Sequence, residues 1–274
     1  MADISGELIY YAWVLNPDFK ELLLPPTSDP HYGNPLFSKD HFLVHRDFIK
    51  DTPNACTILN GDLCESSIRT SKGDIYKQVG SPQDQRDWII EQLLPIKDKI
   101  LGITDGNHEY RIYKEAGIDI SKDIATALGV PYRPEGMLLK ISFGNNNNRT
   151  EGKPYVYYLY FTHGYGGART KAAKAVKVER LANWIDADAY VMSHDHVVNV
   201  APDVYLRPDN RTRIDEKTGF TIGKISANRK MLIKSGAFMK WGGYSERFGF
   251  PPVDLEVPLI KFQGEGEPRV KVEI

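Results

Sequence analysis

Gly102-Ile103-Thr104-Asp105-Gly106-Asn107-His108-Glu109 is the stretch around which the chain is organised. An apolar run over residues 96–103, broken by Lys97, Asp98 and Lys99, precedes it. A helix-like segment over 112–128 follows it. Gly106-Asn107-His108-Glu109 therefore reads as a turn at the end of a strand, where open α/β sheets bind ligands. The Asn107 amide oxygen suits a divalent ion, and the adjacent His108 can give a proton to whatever the ion holds. An Asn-His pair taken alone is an ordinary surface turn. Its weight comes from four similar motifs on either side.

Upstream, residues 21–26 read as a short buried strand stopped by prolines. Ser28-Asp29-Pro30-His31 follows. Side chains at i and i+2 of an extended segment point the same way, so Asp29 and His31 can face one point. Residues 40–50 have helical spacing, with Phe42, Val44, His45, Phe48 and Ile49 on one face. A second strand over 55–60 ends in Gly61-Asp62-Leu63-Cys64-Glu65. Residues 83–94 read as a helix with Trp88, Ile89, Leu93 and Leu94 inward, and Pro95 opens the next strand.

Downstream, the helical segment breaks near Gly117, with Ser121 as N-cap of its second part. Residues 137–143 and 155–161 read as a β-hairpin around a loop at 145–148, and its second arm ends in Thr162-His163-Gly164. Residues 169–184 form a helix with Ala172, Val176, Leu181 and Trp184 apolar. Its cations Arg169, Lys171, Lys174, Lys177 and Arg180 make a basic face open to solvent or to substrate phosphate. A strand over 187–192 ends in Ser193-His194-Asp195-His196. Residues 197–274 read as β-rich, and the loop 236–244 is either a pocket lining or a packing turn. Residues 1–18 are either an extra strand or a partner-contacting arm.

Composition sets the frame. The 274 residues suit a single domain over 1–274 with an ample core. A net charge of -1 does not advertise nucleic acid globally. Cys56 and Cys64 make neither a disulfide framework nor a zinc motif. The N-terminus lacks a signal peptide pattern, and no apolar run is long enough for a membrane helix, so the expectation is a cytoplasmic protein without membrane contact.

Five strand ends in succession thus deliver Asp29 and His31, Asp62, Asn107, His163, and His194 and His196. Carboxylate, amide oxygen and imidazole suit Mn²⁺, Fe or Zn²⁺ and fit neither a soft thiolate site nor an all-oxygen Ca²⁺ site. Seven ligands exceed one tetrahedral ion. They suit two ions sharing one carboxylate, an arrangement that serves displacement at phosphorus.

Together these five motifs resemble the signature of the calcineurin-like metallophosphoesterases, in order and spacing across residues 28–196. The resemblance implies a four-layer αββα sandwich, two mixed β-sheets flanked by helices. It implies two divalent ions, Mn²⁺ first, with Fe, Zn²⁺ or Ni²⁺ as alternatives. Asp29, His31 and His196 would hold one ion, Asn107, His163 and His194 the other, and Asp62 would bridge them. A bridging water or hydroxide would be the nucleophile and His108 the proton donor, with Glu65 pairing with that histidine. Ser193 stands where the family usually has Gly. Ser66 and Asp105 stand where Ser/Thr protein phosphatases carry phosphate-gripping arginines. The chain is therefore more similar to the phosphodiesterase and nuclease branch, including the stand-alone enzymes of phage and prophage genomes, which its 242–252 segment also resembles.

The expected activity is phosphodiester hydrolysis, on DNA, RNA or a nucleotide. Arg169, Lys171, Tyr165, Tyr110 and Trp241 are the candidate substrate contacts, with Tyr32 and Tyr244 as further stacking aromatics. A phosphomonoesterase is the alternative, and a catalytically silent scaffold is the alternative of another class.

Overall fold

The protein is described by a computed structural model covering residues 6–71, 75–143, 148–149 and 153–274. Strands β1 (Tyr10–Leu15) and β2 (Glu21–Leu24) precede helix α1 (Lys39–Asp51), β3 (Thr57–Asn60) and α2 (Pro82–Leu93). A 3₁₀ segment (Leu94–Lys99) leads to β4 (Ile100–Thr104), α3 (Asn107–Ala116) and α4 (Ile120–Leu128). Next come β5 (Met137–Phe143), the short β6 (Asn148–Arg149) and β7 (Lys153–Pro154), β8 (Val156–Thr162), α5 (Lys171–Leu181) and β9 (Ala189–Met192). The chain finishes with the long β10 (Val198–Ile214) and β11 (Thr221–Ser235), α6 (Tyr244–Arg247), β12 (Leu259–Gln263) and β13 (Val270–Glu273).

It is an α/β protein with mixed sheets. Six strands run in the order β1-β5-β8-β9-β11-β10. The pairs β1–β5, β8–β9 and β9–β11 are parallel, while β5–β8 and β10–β11 are antiparallel. A second layer has β13-β12-β2 antiparallel and β3-β4 parallel, stitched by backbone bridges Leu23↔Ala55 and Thr27↔Leu59. Alternate residues of β5, namely Met137, Leu139, Ile141 and Phe143, are fully buried between the layers. They meet Leu22, Leu24, Ile58, Ile260 and Phe262 there. Each such side chain contributes roughly 1.5–3 kcal/mol by leaving water. A second core sets Leu59 and Ile103 against Phe42, Ile89, Ile124 and Leu128 of α1, α2 and α4. A third sets Tyr160, Tyr190 and Met192 against Val178 and Leu181 of α5.

Several sequence expectations change here. The strand before Asn107 begins at Ile100, because Pro95 opens a 3₁₀ segment, for which its fixed φ is suited. Asp119, rather than Ser121, caps α4, and the Ser121 hydroxyl instead donates to Asp105 Oδ1 at 2.7 Å. On α1 only Phe42 and Ile49 are buried, and Val44 and Phe48 face solvent. Leu94 is likewise exposed, while Gln85 is buried on α2. On α5 the expectation holds for buried Leu181 and for exposed Lys171 and Arg180, but Val176 and nearby Trp184 are exposed, whereas Lys174 and Lys177 are buried. Part of the N-terminal stretch becomes an edge strand, β1, parallel to β5. Phe238 in the 236–244 loop is a packing residue against Phe42 and His45. The loop expected at 145–148 lies outside the described residues up to 147.

Candidate metal centre

The five strand-end motifs converge. Asp29, His31 and His196 offer ligand atoms within 4.8 Å of one another, and so do Asp62, His163 and His194. His31 Nε2 and His196 Nε2 face each other at 3.0 Å. Asp62 Oδ2 lies 3.2 Å from His163 Nε2 and 3.6 Å from His31 Nε2, between the two groups. Asn107 Oδ1 is 3.2 Å from His163 Nε2, and His194 Nδ1 is 3.3 Å from the same nitrogen.

The backbone is bent to achieve this. The described non-glycine residues with positive φ are Asp29 (50°), His31 (49°), Asp62 (50°), Ser66 (45°), His194 (68°) and His196 (53°). Five of the six are expected ligands. Left-handed backbone costs an L-residue roughly 1–3 kcal/mol and persists where surrounding structure imposes it. Gly106 marks the closest approach, since a Cβ there would stand 2.0 Å from the Asp62 nitrogen.

Hydrogen bonds to backbone carbonyls hold two of the rings. The carbonyl of Asn60 can only accept, so His163 donates to it from Nδ1 (2.9 Å) and turns Nε2 inward. By the same logic His194 donates from Nε2 to Gly166 O (2.6 Å) and turns Nδ1 inward. Such partners set the tautomer that a ligating imidazole needs. Asp62 Oδ1 accepts from the His108 backbone N–H at 2.8 Å, capping the positive end of α3. Glu109 takes the Asp62 N–H (3.1 Å) and the Cys64 N–H (2.7 Å).

The site is strongly charged. Burial opposes ionisation of Asp62, but the imidazoles of His163, His108 and His31 hold it well below the usual carboxylate range. Burial likewise opposes charge on His163 and His31. Nearby carboxylates outweigh it, led by Asp62 for His163 and Glu65 for His31, and raise these rings to about 10 and about 9. His108 is the contrast: burial pulls it down to about 4 despite Asp62. Its Nδ1 donates to the Glu65 backbone carbonyl at 2.8 Å. The Glu65 carboxylate is nearer to His31 Nδ1 (3.4 Å) than to His108 Nδ1 (3.7 Å), so its position serves both rings.

Sequence reading overlooked what lies beneath. A buried chain of side chains runs Ser28–Ser235 (2.7 Å), Ser235–Ser193 (3.0 Å), Ser193–Asn60 (2.5 Å) and Asn60–Thr104 (2.7 Å). Ser28, Asn60, Thr104 and Ser193 each stand one to three residues before an expected ligand. Asp195, between the two histidines, receives Lys177 Nζ at 2.7 Å and Lys234 Nζ at 2.7 Å. Its carbonyl receives Lys174 Nζ at 3.0 Å, and Lys234 also reaches Ser193 O at 2.8 Å. Lys234 carried a signal, a lone cation closing the apolar run Met231-Leu232-Ile233. The α5 lysines carried none.

Tyr110, Tyr165, Arg169, Lys171 and Trp241 are all exposed, and the Trp241 Nε1 donates to Phe250 O. Tyr165 neighbours Gly166 at the rim, and Tyr110 lies one turn along α3 from Asn107. Tyr32 instead stacks on Trp88 at 3.8 Å and belongs to the packing.

The donor set fits divalent cations. Asp29 Oδ1 is buried without a hydrogen bond, and imidazole nitrogens of His196 (3.3 Å) and His31 (3.9 Å) face it. Nitrogen and oxygen lone pairs converging on one buried point call for a cation.

No protein-family model matches the chain, and no curated protein matches it. Among solved structures it is similar to a conserved uncharacterised protein, a predicted phosphoesterase, from Streptococcus pneumoniae TIGR4 (13% identity, 93% of this chain and 98% of that one, TM-score 0.35). It is also similar to GAP50, the anchor in the inner membrane complex of Plasmodium (10% identity, 93% and 84%, TM-score 0.44). A third likeness is to the nuclease MPE of Pseudomonas putida (13% identity, 91% and 87%, TM-score 0.35). At these identities and scores the likenesses assign no function.

Proposed function

We propose that the protein is a dinuclear metal-dependent phosphoesterase acting on phosphodiester bonds, on a four-layer helix–sheet–sheet–helix frame. The observation that carries this is the position of Asp62, buried between two groups of nitrogen and oxygen ligands. Asp29, His31 and His196 would hold one ion, and Asn107, His163 and His194 the other, with Asp62 shared. Bound there, two divalent ions would activate a water and neutralise charge on the phosphoryl oxygens.

The chain's own residues supply the rest. His108 presents Nε2 to the site, 3.9 Å from Asp62 Oδ2, because its Nδ1 is tied to the Glu65 carbonyl. Burial keeps that ring neutral in the free protein, and an arriving anionic phosphate raises its affinity for a proton. His108 then donates to the leaving oxygen. Glu65 keeps His31 and His108 in register through its carboxylate and carbonyl.

With Lys174 and Lys177 buried, the positive charge left for a polyanion near α5 is Arg169, Lys171 and Arg180, so any nucleic-acid contact at this helix is confined to its rim. The test is hydrolysis of bis-p-nitrophenyl phosphate against p-nitrophenyl phosphate by Mn²⁺-loaded protein, with an EDTA control. Diester preference abolished by EDTA supports the proposal. Metal-bound protein inactive on both, and on DNA, RNA and nucleotides, would overturn it in favour of a scaffold.

A further inference from the structure

His194 and His196 are two residues apart, yet they face different ligand groups. His194 stands with Asp62 and His163, and His196 with Asp29 and His31. Both have left-handed backbone, with φ of 68° and 53°, which an L-residue keeps only where its surroundings impose it. The turn between them is tight, since the Asp195 N–H donates to Ser193 O at 2.8 Å. A small rotation of this turn would misplace one member of each group at once.

Three buried lysines grip the turn from behind. The two rings reach into the centre, while the Asp195 carboxylate goes the other way, to α5 and β11. Lys177 of α5 donates to its Oδ1 and Lys234 of β11 to its Oδ2, each at 2.7 Å. Lys174, one turn before Lys177, donates to the Asp195 carbonyl at 3.0 Å. Lys234 also donates to the Ser193 carbonyl at 2.8 Å. Both carboxylate oxygens, and the carbonyls on either side of His194, are thus held by ammonium groups from two other elements. Lys177 has a further hold on His194. Its Nζ lies 3.3 Å from where a Gly166 Cβ would stand, against the loop whose Gly166 carbonyl accepts from His194 Nε2 at 2.6 Å.

Charge alone gives no reason for this arrangement. A lysine is almost never fully buried unless paired, and here three share one carboxylate. The surplus positive charge lies behind a centre proposed to gather two cations, which Coulomb repulsion opposes. Geometry supplies the reason. Each ammonium carries three donors, and they go to oxygens of a segment that lies outside every strand and helix. We propose that Asp195 and its three lysines are positioning residues: the lysines lock the turn, and the locked turn keeps His194 and His196 each on its own ion. This rests on the dinuclear reading above and extends it to residues outside the ligand set.

The test is Mn²⁺ titration of the metal-free full chain, for wild type, Lys177→Met and Lys174→Met, with electron paramagnetic resonance of the loaded proteins. Charge and position predict opposite signs. Removing a buried cation tightens Mn²⁺ if charge is what the lysines contribute, and weakens it if they hold the ligands. The expected result is a second Mn²⁺ bound roughly 10–100-fold more weakly in Lys177→Met, the usual cost of losing support behind a metal ligand. The spin-coupled signal of a Mn²⁺ pair should fade with it, at concentrations where wild type still shows the pair. Circular dichroism reports whether each variant is folded at the titration temperature; if Lys177→Met is not, Lys174→Met carries the same comparison. Variants that bind both ions as tightly as wild type, or more tightly, overturn the positioning role alone. So does unfolding of both at saturating Mn²⁺, since the lysines then serve the fold rather than the ligands. A wild type that binds fewer than two Mn²⁺ sinks the dinuclear reading, and this proposal with it.

Discussion

Asp62 and His108 lie 3.9 Å apart, and the proposal gives them opposite roles. Asp62 sits between the two ligand groups, so Asp62→Ala should abolish binding of at least one of two Mn²⁺ ions, measured by elemental analysis after gel filtration. His108 makes its hydrogen bond to Glu65 from the far side of the ring. His108→Ala should therefore keep both ions yet lower turnover roughly 10²–10⁴-fold, most for poor leaving groups. If it sheds metal as completely as Asp62→Ala, the division of roles is wrong. The same residues set a pH dependence. Without metal, His163 and His31 are raised to about 10 and about 9, so both carry protons at neutral pH. An ion needs their lone pairs, so binding releases protons and affinity strengthens as pH rises from 6 to 8. Calorimetry in two buffers of different ionisation enthalpy should report that release; zero release contradicts the assignment.

Elements behave differently from what their charge pattern suggests. Lys174 and Lys177 of α5 and Lys234 of β11 close on Asp195 rather than facing water. Asp195→Ala would leave Lys177 and Lys234 buried without a counter-charge, costing about 3–5 kcal/mol. Lys171→Met on the exposed first turn of α5 should cost under about 0.5 kcal/mol. Urea titration of both variants checks the contrast. On α1, His45 is held neutral: burial lowers its pKa from 6.5 to about 4, and its Nε2 faces the Thr27 hydroxyl at 2.8 Å. The unfolded chain takes up this proton first as pH falls. The stability His45 allows is present above about 6.5 and lost progressively towards 4, by at most about 3 kcal/mol. His45→Gln should thus narrow the difference in melting temperature between pH 7.5 and pH 5; an equal difference in both proteins would show that other groups dominate.

The proposed centre couples the layers, because its expected ligands come from both sheets and only the folded chain brings them together. Mn²⁺ should accordingly raise the melting temperature, by an amount equivalent to about 2.7 kcal/mol at one hundred times the dissociation constant for each site, and EDTA should reverse it. Among the described residues no helix is long and apolar enough to cross a membrane. How much of this was legible beforehand follows from range. Strand ends were visible because β-branched runs stopped by glycine and a polar ligand are local patterns, and Asp62, Asn107 and His163 each stand just past one. The hairpin of β5 with β8 and the break at Gly117 were readable for the same reason. What tertiary structure alone decided is long-range: Lys174 and Lys177 turn inward because Asp195, on another element, waits there. Glu65 reaches His31 across a left-handed turn. Sequence patterns record what each residue meets within a turn or a strand; where a charge is neutralised depends on elements that meet only when the chain has folded.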